Sequence, residues 1–304
     1  MLILGDESHY HGRFPWVTGS LIVINVVVFL GQMVIGQAFT NGFSLVPEEI
    51  VTFRDLQGTQ KLKVKTEVRG YRDHNKKYHR RFETREVPIK HYPGPFPIFL
   101  TLFTSMFLHG DVFHLIGNMW FLLIFGRNVE CALNHGRFLA FYIACGIFAG
   151  LAYVASDAHS IVPCLGASGA ISGVMGAYIA IHPLNNIKIW LGWMLGVVDV
   201  PALIVIGLWF LLQYFKAFIS LEDDAMHDGV AYWNHIGGFV TGIAIIRGMV
   251  WYLRSQHTET GETDEESPTN PPEPAMSADA AAKPDPFGTF LSVKSIREME
   301  TRAE

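Results

Sequence analysis

A serine in a glycine-rich string and a histidine in a separate apolar stretch are the residues of this chain best suited to chemistry. The string G-A-S-G-A-I-S-G occupies 166–173 and puts Ser168 at the start of an apolar segment, while His235 opens the last apolar segment. Reactive polar side chains are costly inside membrane-spanning helices, so they mark function there by default. A serine hydroxyl is a weak nucleophile until a neighbouring base takes its proton, and histidine is the usual base. Amide hydrolysis also builds an oxyanion that needs preorganised donors. Candidates are the Ser168 backbone N–H, the Asn118 amide and the His114 imidazole. The last two lie one helical turn apart and so share a face.

Taken singly, each of these features has a plain structural explanation. A serine in a membrane helix can bond back to a carbonyl one turn earlier, and a histidine can pair with a neighbouring helix. Gly166, Gly169, Gly173 and Gly176 recur on one face, and Gly238 and Gly242 form G-x-x-x-G. Such spacing lets helix backbones approach closely, which packing alone would justify. Gly166 and Gly169 would also free the backbone around Ser168 to meet a substrate carbonyl. A packing seam does not explain why a hydroxyl and an imidazole accompany it. One shared site explains all of these features together.

The elements that must position these residues follow from composition. Half of the 304 residues are hydrophobic, 17% are charged, and mean hydropathy is positive, which points to a polytopic membrane protein. An apolar helix needs about twenty residues to cross the hydrocarbon core. Six stretches qualify: 16–38, 106–126, 137–155, 163–182, 200–219 and 229–251. The fold class expected is therefore all-α, a six-transmembrane-helix bundle. The first stretch is too long for a signal-peptide core and reads as a retained span. Arg127, Arg137, Lys188, Arg247 and Arg254 fall near one set of helix ends, which by the positive-inside rule places both termini in the cytoplasm. Spans two, four and six then run inward from the outer face. Counting about 1.5 Å per residue puts His114, Ser168 and His235 at a common depth of roughly 7–12 Å.

The net charge of −5 conceals two opposed segments. Residues 52–92 hold twelve Lys/Arg against five Asp/Glu, and 255–304 hold four against eleven. The segmentation expected is a cytoplasmic segment 1–15, a first span 16–38, a long external loop 39–105, a core 106–252 and a disordered acidic tail 253–304. Within the loop, Lys61 to Val68 alternates like a half-exposed strand. That basic stretch reads either as a solvated hairpin or as a surface holding anionic lipid or a protein partner. The tail is rich in Pro, Glu, Ala and Ser and cannot bury a core. Cys131, Cys145 and Cys164 have neither disulfide-framework nor zinc-type spacing. No cofactor, metal or nucleic-acid partner is expected.

At this point the sequence resembles the rhomboid family of intramembrane serine proteases. The matching strings are F-T-S-M-F-L-H-G-D-V-F-H-L-I-G-N-M (103–119), F-G-R-N-V-E (125–130), G-A-S-G-A-I-S-G (166–173) and W-N-H-I-G-G-F (233–239). They occur in the family's order. The resemblance implies a six-helix bundle whose shorter fourth helix begins at the nucleophile, in a cavity open to the outside. It implies Ser168 as nucleophile and His235 as general base, with His114, Asn118 and the Ser168 N–H as oxyanion hole. Gly166, Gly169, Gly173 and Gly238 would support the backbone, and Glu130 would be structural. Substrates would be single-pass or polytopic membrane proteins cut near the outer membrane face. The expected location is the bilayer, in a bacterial cytoplasmic membrane.

There are departures from the family pattern. Many members have Ala-His in the last span where this chain has Asn234-His235. The aromatic found in some members four residues after the serine is Ser172 here, and the Trp-Arg pair of the first loop is missing. No carboxylate is visible beside His235, which leaves the orientation of its imidazole open. Two other classes of function remain: a non-catalytic rhomboid-like binder of client helices, and a small transporter using intramembrane histidines. The binder's relatives typically lack the serine or the histidine. A transporter of this size often shows matched repeat halves, which are not seen here.

Overall fold

The computed structural model describes residues 2–6, 14–72, 78–192, 196–222 and 231–259. Most of segment 1–15 and nearly all of the acidic tail, expected to be disordered, lie outside the described residues. Among those described, five helices are long and apolar enough to cross a membrane. The first is α1 (Trp16–Ile35), after which α2 (Gln37–Gly42) and α3 (Pro47–Thr52) are short. Another one-turn helix, α4 (Thr101–Thr104), precedes the second long run. That run joins α5 (Val112–Phe121), a wide π-type turn Leu122–Gly126 and α6 (Arg127–Leu133). Then follow α7 (His135–Ser156), the shorter α8 (Ser168–Ile181), α9 (Ala202–Glu222) and α10 (Tyr232–Glu259).

Local chemistry sets several of these boundaries. Asp111 begins α5 by accepting a hydrogen bond from the His114 N–H at 2.9 Å, a capping arrangement that satisfies a first-turn donor. The expected span from 106 is therefore broken at Leu108–Asp111 before the long helix starts. The expected span from 163 also starts late. Leu45 and Cys164 exchange backbone hydrogen bonds of 2.9 and 2.8 Å, which hold 163–167 out of helix. Gly166 then takes φ +129°, a conformation open to glycine because it lacks Cβ. At α1, the buried Glu130 carboxylate accepts from the Val17 N–H (2.8 Å), the Thr18 N–H (2.7 Å) and the Thr18 hydroxyl (2.6 Å), and also meets His135. Negative charge there caps the donor-rich end of α1.

Two antiparallel sheets modify the all-α expectation. Strands β2 (Gly58–Arg72) and β3 (Tyr78–His91) form a hairpin in which Leu62 pairs with Val87 and Thr66 with Glu83. The alternation at 61–68 foreshadows this arm. The second sheet has the order β1 (Leu2–Asp6), β4 (Asn186–Trp190), β5 (Val197–Pro201). It moves the start of the fifth apolar helix from the expected 200 to Ala202. Asp6 accepts from the Tyr178 hydroxyl and from the Asn128 amide, both at 2.7 Å, so this sheet is tied to the ends of α8 and α6.

The core lies where α8 is enclosed by α7, α10 and the π-type turn, around Phe125, Phe138, Tyr142, Val174 and Tyr178. Ten of the fourteen α8 residues are buried. By contrast, α9 leaves Leu203, Leu208, Leu211, Leu212 and Phe215 exposed, as a lipid-facing helix should.

Candidate active site

The start of α8 and the start of α10 face each other. Ser168 is the first residue of α8, and its backbone N–H belongs to the first turn, whose donors lack intrahelical acceptors. His235 lies in the first turn of α10. Its Nε2 is 2.9 Å from the Ser168 Oγ, within hydrogen-bond reach. The two residues singled out from the sequence, 67 positions apart, thus touch.

His114 closes the other side of the serine. A Cβ built on Gly166 would lie 3.0 Å from His114 Nε2, 2.9 Å from its Cε1 and 3.6 Å from Ser168 Oγ. The imidazole and the hydroxyl therefore approach the same bare glycine, and any side chain there would meet both. The Gly166 N–H donates to the Ser105 carbonyl at 2.9 Å, which holds the loop in place. Asn118 is buried one turn below His114, with its Nδ2 at 2.9 Å from His109 Nε2. His109 is nearly inaccessible and packs edge-on to the His114 ring at 5.2 Å. Its backbone exchanges two 3.0 Å hydrogen bonds with the Gln32 side chain of α1. His109 stands within the matched string, yet the sequence reading passed over it. Its role in holding Asn118 follows from a bend at Gly110 that no periodicity shows.

The glycines form a seam between α8 and α10. At Gly169 an added Cβ would come within 2.5 Å of Asn234 Oδ1 and 2.7 Å of the Ala149 Cβ. At Gly173 it would meet Cys145 Cβ at 2.5 Å and the Gly238 carbonyl at 3.0 Å. At Gly238 and Gly242 it would overlap the Gly169 and Gly173 carbonyl oxygens. Backbone meets backbone here, and only glycine permits it.

The side chains at the two positions that depart from the family pattern, Ser172 and Asn234, hydrogen-bond elsewhere. The Ser172 hydroxyl donates to the Ser168 carbonyl at 2.7 Å, and the Asn234 amide points to Cys164 Sγ at 3.8 Å. The group that does meet His235 Nδ1 is Gln213 Oε1 on α9, at 3.0 Å. The sequence reading missed it. Its signal was available: Gln213 is the first polar side chain after eleven apolar residues of α9. Among the described residues, no three His, Cys, Asp or Glu side chains are grouped so as to hold a metal ion.

Comparison with known proteins bears on this arrangement. The family model of the Rhomboid domain matches residues 98–252, just over half of the chain and all of the helices that meet at Ser168. Rhomboid protease GluP of Bacillus subtilis (strain 168) is 34% identical over 144 residues, covering 47% of this chain and 25% of that protein. RHOMBOID-like protein 5 of Arabidopsis thaliana is 27% identical over 156 residues, 51% of this chain and 45% of the relative. RHOMBOID-like protein 1 of the same plant is 23% identical over 290 residues, 93% of this chain and 64% of the relative. In each case the chain spans less than two thirds of the relative's own length. With the Rhomboid domain matched across 98–252 and a bundle of membrane-spanning helices around it, the chain belongs to the rhomboid family.

Proposed function

We propose that this protein is an intramembrane serine endopeptidase using a Ser168–His235 dyad. The observation that carries the reading is the 2.9 Å approach of Ser168 Oγ to His235 Nε2 between two separate helices. In the first step Ser168 Oγ attacks the scissile carbonyl carbon while its proton passes to Nε2. The carbonyl oxygen becomes an oxyanion, for which the Ser168 N–H, Asn118 and His114 are the donors. Loss of one such donor typically costs about 3 kcal/mol of transition-state stabilisation. Collapse of the tetrahedral species breaks the C–N bond, and the leaving amine takes the proton from Nε2. Water then attacks the acyl-Ser168 ester with Nε2 again accepting its proton, and collapse breaks the ester C–O bond, releases the carboxylic acid and returns that proton to Ser168 Oγ. Attack requires neutral His235, so turnover falls as acid protonates it.

Several finer points belong to the same reading. We take α8 as a sixth, short span: its fourteen residues rise about 21 Å, less than the roughly 30 Å hydrocarbon core. That leaves Ser168 below the outer surface with room for water above it. Substrates are then membrane proteins cut near the outer face, and both termini are cytoplasmic by the positive-inside rule. A bacterial cytoplasmic membrane is the location that fits this reading. The β2–β3 arm belongs to the outer side, where its basic surface is solvated or meets anionic lipid or protein.

The test is labelling with a fluorophosphonate in detergent, beside cleavage of a model single-span substrate in proteoliposomes. Ser168→Ala and His235→Ala are both expected to abolish cleavage, and Ser168→Ala to abolish labelling. Asn118→Ala retains residual turnover. Cleavage that survives Ser168→Ala would sink the dyad. Binding of a client helix without proteolysis by the intact protein would instead favour a non-catalytic rhomboid.

A further inference from the structure

The structure assigns Gln213 as the positioning residue that orients His235 by accepting from its Nδ1–H, an inference that rests on the serine-protease reading. A neutral imidazole carries one proton, and which nitrogen holds it is set by the partner of the other. To accept the Ser168 proton, Nε2 must be bare, so the ring proton must sit on Nδ1. Nδ1 faces Gln213 Oε1 at 3.0 Å. An amide oxygen accepts and cannot donate, so this contact is made only by the Nδ1–H tautomer. With its amide oxygen turned to Nδ1, Gln213 supports the form of His235 that can serve as base.

The location of Gln213 supports this assignment. It lies mid-way along α9, flanked by the exposed apolar Leu211, Leu212, Tyr214 and Phe215. A primary amide in such surroundings is costly unless hydrogen-bonded, and its bond is to His235. One turn earlier, the Trp209 ring stands 6.0 Å from the imidazole, and Phe210 stacks on Phe239 at 4.3 Å. Trp209, Phe210 and Gln213 thus lie along His235 and Phe239 of α10. The imidazole is held at one nitrogen by α8 and at the other by α9.

An amide suits this position physically. Once Nε2 has taken the serine proton, the ring is cationic and the Nδ1–H···O bond becomes charge-assisted. A carboxyl group would also accept from Nδ1–H, but it would bring an ionisable proton of its own beside the ring. Gln213 supplies the acceptor without the ion, and it neither gives nor takes a proton in the reaction.

The experiment uses the full chain in proteoliposomes, comparing Gln213→Met (similar length, no comparable acceptor) with Gln213→Glu (acceptor kept). Gln213→Met is expected to lower kcat on the order of tenfold to a hundredfold, part of what a positioned base contributes. KM should stay near its original value, fluorophosphonate labelling should slow in parallel, and the thermal midpoint in detergent should not fall. Gln213→Glu should retain activity within a few-fold. Wild-type kcat in Gln213→Met overturns the assignment, as does equal loss in both variants. Should Gln213→Met fail to fold, retained or lost turnover in Gln213→Glu decides the matter. Ser168→Ala separates the two levels. If it still cleaves, the protease reading itself falls. If it is inert while Gln213→Met turns over normally, only the assignment of Gln213 falls.

Discussion

Along α8, α10 packs backbone against backbone, whereas along α9 it packs side chain against side chain. On the first flank Gly238 and Gly242 rest on the carbonyls of Gly169 and Gly173, with no room for a methyl group. On the second flank Phe239 stacks on Phe210 and His235 meets Gln213, while most of α9 faces outward. A backbone seam has one register and little freedom, because moving it opens voids or forces overlap. Side-chain packing tolerates rotamer changes and small helix shifts. Ser168 and His235 are held together by the rigid flank, and the free nitrogen of His235 is held by the adaptable one. Nucleophile–base distance and imidazole orientation are therefore separable properties in this fold.

The contrast breaks most severely at the seam. Gly242→Leu would drive a branched side chain into the Gly173 backbone, an overpacking cost of about 3 kcal/mol or more. The expected result is loss of folded protein in detergent by thermal unfolding, and of cleavage with it. A folded, active variant would show that the seam can spread. A smaller effect is expected from pH, through α3, which packs on α7. Burial raises the Glu49 carboxyl from 4.5 to about 7, against a lowering by its hydrogen bond from the Leu56 N–H. The folded protein thus keeps a proton that the unfolded chain releases between those values. This group's contribution makes stability fall as pH rises from about 4.5 to about 7 and stay lower above that. In Glu49→Gln the thermal midpoint should lose that component of its pH dependence, read as the difference from wild type across the window. Identical pH profiles would mean that α3 does not bury a protonated acid. The smallest effect belongs to α9. A Cβ at Gly207 meets nothing within 4 Å, so Gly207→Ala should leave activity intact and change stability by no more than about 1 kcal/mol, upward if at all. A large loss would mean that α9 is more tightly held than its exposed face implies.

How legible each part was depended on how local its cause is. The strand alternation at 61–68 was readable because period-2 patterning is written in consecutive residues. The sheet β1–β4–β5 was not, since it pairs Leu2 with Trp190 across nearly the whole helical core. The 163–182 stretch reads as one apolar span, yet its first five residues stay non-helical because Leu45 claims the backbone of Cys164. Hydropathy does not report where a distant residue will pair. Ser168, His235, His114 and Asn118 could be grouped in advance because intramembrane polar residues are few and three helices put them at one depth. Gln213 carried the same signal, but its rotation about α9 could not be read from a segment apolar on nearly every side.

By itself the sequence determined a helical membrane protein, the glycine spacing that permits a close seam, and the hydroxyl and imidazole that accompany it. These depend on residue types and periods, which are properties of the chain alone. Only the tertiary structure decided that Ser168 Oγ and His235 Nε2 lie at 2.9 Å, that Asn118 leans on His109, and that Gln213 rather than Ser172 or Asn234 meets the imidazole. Those contacts join residues 67, 9 and 22 positions apart. The rotation and tilt of each helix set them, and both are fixed by what packs against it.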